Sequence, residues 1–442
     1  MSEFFTNIPK VEFEGPTSTN KYAFKFYDAE REILGKPMKE HLKFSLAWWH
    51  AMNGDGKDIF GDPTIKKDYG TGEVGTMKHA LARVDAAFEI MQKLGMEYFC
   101  FHDVDIAPQG KTLAETNKNL DEVTDYMLEK MQETGIKLLW GTTNLFNDPI
   151  FMNGAGTANS ADVFAYAATK AKKSIELTVK LGGSGYVFWG GREGYETLLN
   201  TDVALEQDNM ARFMKMAIEY ARSIGYKGDF YIEPKAQEPM KHQYDFDAAT
   251  AIQFIQKYNL QDDVFLNIEA NHATLAGHTF EHELRIANIN NAFGSVDANQ
   301  GDPLLGWDTD SFPSDVYATT LGMLEVLRAG GFTNGGLNFD SKNRRASNTY
   351  EDIFLGFVLG MDAFALGLIK AARIIEDGRI DEFVKDRYSS FSKGIGKKIV
   401  DGETNLVELA EYIEGLDEFE NPGSGRQEYL EAVLNQILFT QE

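Results

Sequence analysis

At 442 residues the chain is long enough for one large barrel with an appendage or for two to three ordinary domains, and its 43% apolar content excludes a disordered or fibrous chain. Against 43 basic residues stand 68 acidic ones, a net charge of −25 that repels phosphate backbones, so no nucleic-acid partner is expected. No apolar run approaches the roughly 20 residues of a bilayer span, and the opening MSEFFTNIPKVEFEG lacks the basic-then-apolar order of a signal peptide, so a soluble cytoplasmic protein with no membrane partner is expected.

The first 43 residues precede any strand-like run and are expected to form an N-terminal extension. Short runs rich in β-branched and aromatic residues then begin at Phe44 (FSLAW), Glu97 (EYFCF), Lys137 (KLLWG), Gly185 (GYVFWG), Asp229 (DFYIEP), Val264 (VFLNIE), Phe293 (FGSVD) and Gly335 (GGLNFD). Each reads as a buried strand. Between them apolar residues recur at helical spacing, as at Met77, Leu81, Val84, Phe88, Met91 and Leu94, or at Met210, Phe213, Ala217 and Tyr220. Ile353, Phe357, Met361, Phe364 and Leu368 supply a further helix after the last strand. Strand followed by helix, repeated about eight times, predicts an α/β fold of the (β/α)₈ TIM-barrel type over residues 44–375. The rival, a doubly wound open sheet, calls for a glycine-rich first turn, and GGREG at Gly190 has the wrong spacing. Residues 376–442 read as a charged C-terminal helical tail with little core of its own, free to pack on the barrel or to embrace another subunit. The single cysteine, Cys100, lies in an apolar run and is expected to be packing, not a reactive thiol.

Barrel enzymes carry their sites at the carboxyl ends of the strands. There the apolar runs are broken by His102 and Asp105, by Glu233 and Lys235, by Glu269 and His272, by Asp297 and by Asp340. Any one of these carboxylates alone would be an ordinary solvated charge. Gathered on one rim without a cation they would repel one another, so a bound metal is expected, and the number of donors suggests more than one ion. Oxygen donors with one histidine suit Mg²⁺, Mn²⁺ or Co²⁺ better than Zn²⁺. Asp308 and Asp310, two apart in GWDTD, face one side of an extended segment and are candidate ligands of a second ion. The spacing in HDVD lets Asp105 orient His102 for proton transfer. Trp49, Trp140, Phe146 and Trp189 stand near strand ends, where at a barrel mouth they would make apolar walls that exclude water and stack on the C–H faces of a sugar. His278, Glu281 and His282 match the H-x-x-E-H spacing of one class of zinc peptidases, but the pattern is short, recurs by chance, and follows Glu269 and His272, which already fit the strand-end site.

WWH at Trp48, FCFHDVDIAP at Phe99, KLLWGT at Lys137, YVFWGGREGYETLLNTD at Tyr186, IEPK at Ile232, NIEANHATLAGHTFEHE at Asn267, SVDANQGD at Ser295, GWDTD at Gly306 and GGLNFD at Gly335 follow one another in an order that resembles the xylose isomerase family, in its longer class with an extended amino terminus. That resemblance implies interconversion of D-xylose and D-xylulose, with slower action on D-glucose, by ring opening and a hydride shift between C2 and C1. It implies two divalent cations, the first on Glu233, Glu269, Asp297 and Asp340, the second on Glu269, His272, Asp308 and Asp310, so that Glu269 bridges them. It assigns ring opening to His102 with Asp105, counts Thr142 of KLLWGT with the substrate-binding residues, and implies a homotetramer in which the tail wraps a partner and Phe60 closes a neighbour's pocket. Ala236, Gln237, Ser341 and Asn343 depart from the family's pattern without touching these ligands. Two other readings stay open: a different pentose or hexose isomerase or epimerase on the same barrel, and a metal-dependent hydrolase. A sugar-binding protein without activity would need neither Lys235 nor the His102 and Asp105 pair.

Overall fold

In the computed structural model, which describes residues 3–418 and 421–440, each of the eight apolar runs becomes a strand. They are β1 (Phe44–Ala47), β2 (Tyr98–His102), β3 (Lys137–Thr142), β4 (Gly185–Trp189), β5 (Asp229–Glu233), β6 (Val264–Glu269), β7 (Phe293–Asp297) and β8 (Leu337–Phe339). Every strand pairs in parallel with its neighbours in sequence, and β8 pairs with β1, closing the (β/α)₈ barrel. The helices that follow the strands are α1 (Met77–Leu94), α2 (Leu113–Thr134), α3 (Ala161–Lys180), α4 (Val203–Ser223), α5 (Ala248–Lys257), α6 (Phe280–Ile289), α7 (Val316–Arg328) and α8 (Tyr350–Asp377).

Local chemistry sets these helices. Thr76, Thr112, Asp202, Asp247 and Asp315 cap the N-termini of α1, α2, α4, α5 and α7 with side-chain oxygens, and Gly95 and Gly135 end α1 and α2 in the left-handed conformation. On α1 the predicted stripe of Val84, Phe88, Met91 and Leu94 is buried, each side chain contributing about 1.5–3 kcal/mol of hydrophobic stabilisation. Inside the barrel Tyr231 packs with Cys100, Leu139, Trp140 and Val187. A Cβ at Gly185 or at Gly294 would collide with the Tyr231 ring, so glycine at both positions lets a tyrosine lie across the barrel. Cys100 is fully buried, and burial pushes its thiol well above the usual range, consistent with a packing role.

The chain divides into two units, Met1–Gly367 and Leu368–Glu442. The first holds the barrel and the segment ahead of β1, which is tied down at two points: Phe4 and Phe5 donate backbone N–H groups to Glu89 of α1, and Lys25, Phe26 and Tyr27 donate theirs to Asp362 of α8. Asp362 explains one correction to the sequence reading. It splits an apolar run, yet α8 as a whole is long and apolar enough to cross a membrane, with 67% of its most apolar window buried inside the protein. A core helix passes the same composition test, and an acid whose oxygens accept three backbone N–H groups does not spoil its burial.

In the second unit, α9 (Arg379–Arg387), α10 (Gly394–Val400) and α11 (Leu406–Glu414) bury almost nothing, whereas α12 (Gln427–Phe439) buries Val433, Leu434, Ile437 and Leu438.

Candidate metal centre and catalytic pocket

Strand register brings the rim together. Glu269 on β6 is the register partner of Asp297 on β7, which is in turn the partner of Asn338 on β8. Donor atoms of Glu233, Glu269, Asp297 and Asp340 consequently lie within 4.8 Å of one another, as do those of Glu269, Asp308 and Asp310, and Glu269 is common to both groups. His272 stands between them, with Nε2 3.1 Å from Glu269 Oε2 and 3.4 Å from Asp308 Oδ2, while its Nδ1 is 3.7 Å from Glu233 Oε1.

Burial and the nearby Asp297 and Asp340 push the Glu233 carboxyl well above the usual carboxylate range; burial and Asp308, Asp340, Asp310 and Glu233 do the same to Glu269. Asp297 is pushed up to about 8 by burial and Asp340. Asp308 goes the other way: burial opposes ionisation, but His272 and Lys235 hold it well below the usual value. Glu269 Oε2, Asp297 Oδ2 and His272 Nδ1 are buried without a hydrogen-bond partner, since the 3.1 Å contact to Glu269 lacks hydrogen-bond alignment. Unpaired donors on oxygen-rich, mutually repelling carboxylates are what a divalent cation would satisfy, so the residues present fit metal binding.

Above the carboxylates lies a cavity of about 170 Å³, small beside the roughly 300–1,000 Å³ of sites for drug-sized ligands and suited to a small polar molecule. Trp49, Trp140, Thr142, Phe146 and Trp189 all line it. Trp49 packs 4.6 Å from the His102 ring and 5.6 Å from Trp140, and Phe146 stands edge-on to Trp189 at 4.4 Å. Thr142 donates its hydroxyl to Val187 O at 2.7 Å. His102 ends β2, and Asp105, in the short helix Asp103–Ile106 directly after it, holds both the backbone N–H (3.1 Å) and Nδ1 (2.8 Å) of His102. A carboxylate can only accept, so Nδ1 carries the proton in that bond and Nε2 is left for other work. Lys235 crosses the cavity to Asp308 and lies 5.4 Å from the Trp189 ring centroid. Burial works against its charge, but Asp308 and Glu269 keep its amine protonated, above the usual lysine value. Phe60 does not reach this cavity; it is 78% exposed, 6.2 Å from Trp307, and lines an outer cavity of about 570 Å³ that also touches His50 and Asp308.

A xylose isomerase from a Thermotoga strain is 59% identical over 99% of this chain and 98% of its own length. Those of Thermoanaerobacter sp. (strain X514) and Geobacillus thermodenitrificans are each 56% identical, over 99% and 98% of this chain and 100% and 97% of theirs. The chain belongs to the xylose isomerase family. Two family models agree: Xylose isomerase-like TIM barrel matches residues 88–306, and XylA2 C-terminal domain matches 384–438. A D-psicose 3-epimerase from Clostridium cellulolyticum H10, 8% identical with a TM-score of 0.50 over 74% of this chain and 99% of its own, shares the fold.

In this xylose isomerase family member several residues around the rim escaped the sequence reading. His50 directs Nε2 at Asp340 Oδ1 (2.8 Å) and Asp310 Oδ2 (3.2 Å), and Lys342 donates to Asp310 at 2.7 Å. Burial opposes a charge on His50, yet Asp340 and Asp310 push its pKa up to about 9. A set of asparagines donates to carboxylates across the strands: Asn267 to Glu233 (3.0 Å), Asn299 to Glu269 (2.6 Å) and Asn338 to Asp297 (2.8 Å). The signal was present in N-x-E at Asn267, D-x-N at Asp297 and N-x-D at Asn338, where alternation of two places an amide on the same face as a ligand.

Proposed function

We propose that this chain interconverts D-xylose and D-xylulose, acting more slowly on D-glucose, with two divalent cations of the Mg²⁺, Mn²⁺ or Co²⁺ type in each subunit. The observation that carries the reading is full-length identity of 56–59% to xylose isomerases. The geometry supports it through two carboxylate groups that share Glu269 beneath an aromatic-walled cavity.

Glu233, Glu269, Asp297 and Asp340 would hold one cation, and Glu269, His272, Asp308 and Asp310 the other. Bound there, divalent cations would supply Lewis acidity toward sugar oxygens. His102, oriented by Asp105, uses Nε2 to take the proton of the anomeric hydroxyl and deliver it to the ring oxygen, as the bond from C1 to that oxygen breaks and the C1 carbonyl forms. Lys235 donates to the carbonyl oxygen as negative charge grows on it. Trp49, Trp140, Phe146 and Trp189 exclude water from C1 and C2, with Thr142 beside them, which favours direct transfer of hydrogen from C2 to C1 as a hydride while a proton passes from O2 to O1. Substantial solvent deuterium at C1 of the product would contradict that transfer.

The same reading places the protein in the cytoplasm, a reducing setting that suits a lone buried thiol. It makes the assembly a homotetramer with the tail, 376–442, serving as the arm and Phe60 closing a neighbour's pocket. Exposed Val384, Phe391, Val400, Leu406 and Val407 on the tail support an arm that finds its apolar partner on another subunit.

The deciding experiment is NMR of D-xylose with chelator-stripped protein, with and without Mg²⁺. D-xylulose only with metal supports the proposal; no product with Mg²⁺, Mn²⁺ or Co²⁺ from folded protein rejects it, and a different ketose or epimer redirects it to another sugar.

A further inference from the structure

A second cluster of metal-ligating side chains lies away from the carboxylate centre, where the N-termini of α5 and α6 meet. His278, just ahead of α6, and His282, in its first turn, stack their rings at 4.5 Å with 25° between planes. Donor atoms of His278, His282 and Glu283 lie within 4.8 Å of one another, and His278 Nε2 is also 3.4 Å from Oδ2 of Asp247, the cap of α5. In the H-x-x-E-H pattern the acid would be Glu281; the fold brings in Glu283 instead.

We propose that His278, His282 and Glu283, with Asp247 beside them, form a separate site for an imidazole-preferring divalent cation of the Zn²⁺ class. Two nitrogens and a carboxylate oxygen make a donor set that Zn²⁺ takes readily and Mg²⁺ does not. Glu283 is 3% exposed, and its Oε2 accepts the Ala248 backbone N–H at 2.7 Å, so one end of the carboxylate is anchored while the other is free to bind. His282 is exposed, which opens the site to solvent. A cation here meets the positive end of α6, and the carboxylates of Glu283 and Asp247 offset that repulsion. Small rotations of the two imidazoles draw the donors onto one ion, which then clips α5 to α6. None of these residues lines the catalytic cavity or belongs to its ligand groups, so the site is independent of the isomerase reading.

The test is equilibrium dialysis of the Mg²⁺-saturated full chain against micromolar Zn²⁺, with bound zinc counted for the unaltered protein, His282→Ala and His278→Ala. Any Zn²⁺ that displaces Mg²⁺ from the carboxylate centre contributes equally to all three and cancels in the difference. The expected result is one more Zn²⁺ per chain in the unaltered protein than in either variant, together with a zinc-dependent rise in Tm that both variants lose and unchanged Mg²⁺-supported isomerisation in zinc-free buffer. Equal zinc counts in all three proteins, with matching circular dichroism, would overturn the proposal.

Discussion

His50 Nε2 sits 2.8 Å from Asp340 Oδ1, the same oxygen that accepts the Trp49 Nε1 hydrogen at 2.6 Å. Adjacent residues after β1 thus hold one carboxylate oxygen of a proposed ligand on β8's end, leaving the other oxygen for metal. Support of this kind raises metal affinity by about 10–100-fold. His50→Ala is expected to raise the Mg²⁺ concentration for half-activation by about that factor, with kcat largely recovered at saturating metal. A kcat that stays low at saturating Mg²⁺ would show that His50 acts on substrate instead.

Asn338 bonds Asp297 from the neighbouring strand, and both side chains are fully buried. Asn338→Ala leaves one Asp297 oxygen without its donor, so a loss of about 1–3 kcal/mol in unfolding free energy is expected, read by urea denaturation with metal present.

Lys235 is a buried ammonium held between Asp308 and the Trp189 ring. Removing one donor aimed at a developing oxyanion costs about 10²–10³ in kcat. Lys235→Met is expected to lose turnover on that scale while D-xylose binding, followed by calorimetry, changes little. Equal losses in binding and turnover would make the lysine a ground-state contact.

Metal removal should expose the repulsion among the carboxylates. In the metal-free chain the folded-state pKa values of Glu233 and Glu269 lie well above the unfolded ones, and that of Asp297 reaches about 8. A raised folded pKa means that the folded state binds the proton more tightly. Stability from these groups is therefore full below about pH 4 and falls as pH rises toward 8. Denaturation in chelator is expected to show a steady decline from pH 5 to pH 8, and saturating Mg²⁺ should remove most of it, adding about 2.7 kcal/mol at one hundred times its Kd.

Gly185→Ala should destabilise the barrel by about 1–3 kcal/mol, because the new methyl meets the Tyr231 ring in a packed interior. If the mechanism is overpacking, the double variant Gly185→Ala with Tyr231→Leu recovers part of that loss.

Much of this protein is legible in its sequence because the information is local. Short apolar runs such as FCFH, FYIE and FLNIE mark strands buried on both faces, and a polar residue closing each run lies on the barrel rim, so His102, Glu233, Glu269 and Asp297 could be named from their own segments. Long motifs in order were enough to indicate the family. Tertiary structure alone decided which of these side chains meet. Closure pairs β8 with β1 across almost 300 residues and brings His50 to Asp340; register sets Asn338 against Asp297; and the Ala248 N–H at the start of α5 anchors the carboxylate of Glu283, the acid that stands beside the two histidines. Side-chain periodicity tells which face a residue occupies, but contacts between distant segments depend on barrel closure and strand register, which no single segment encodes.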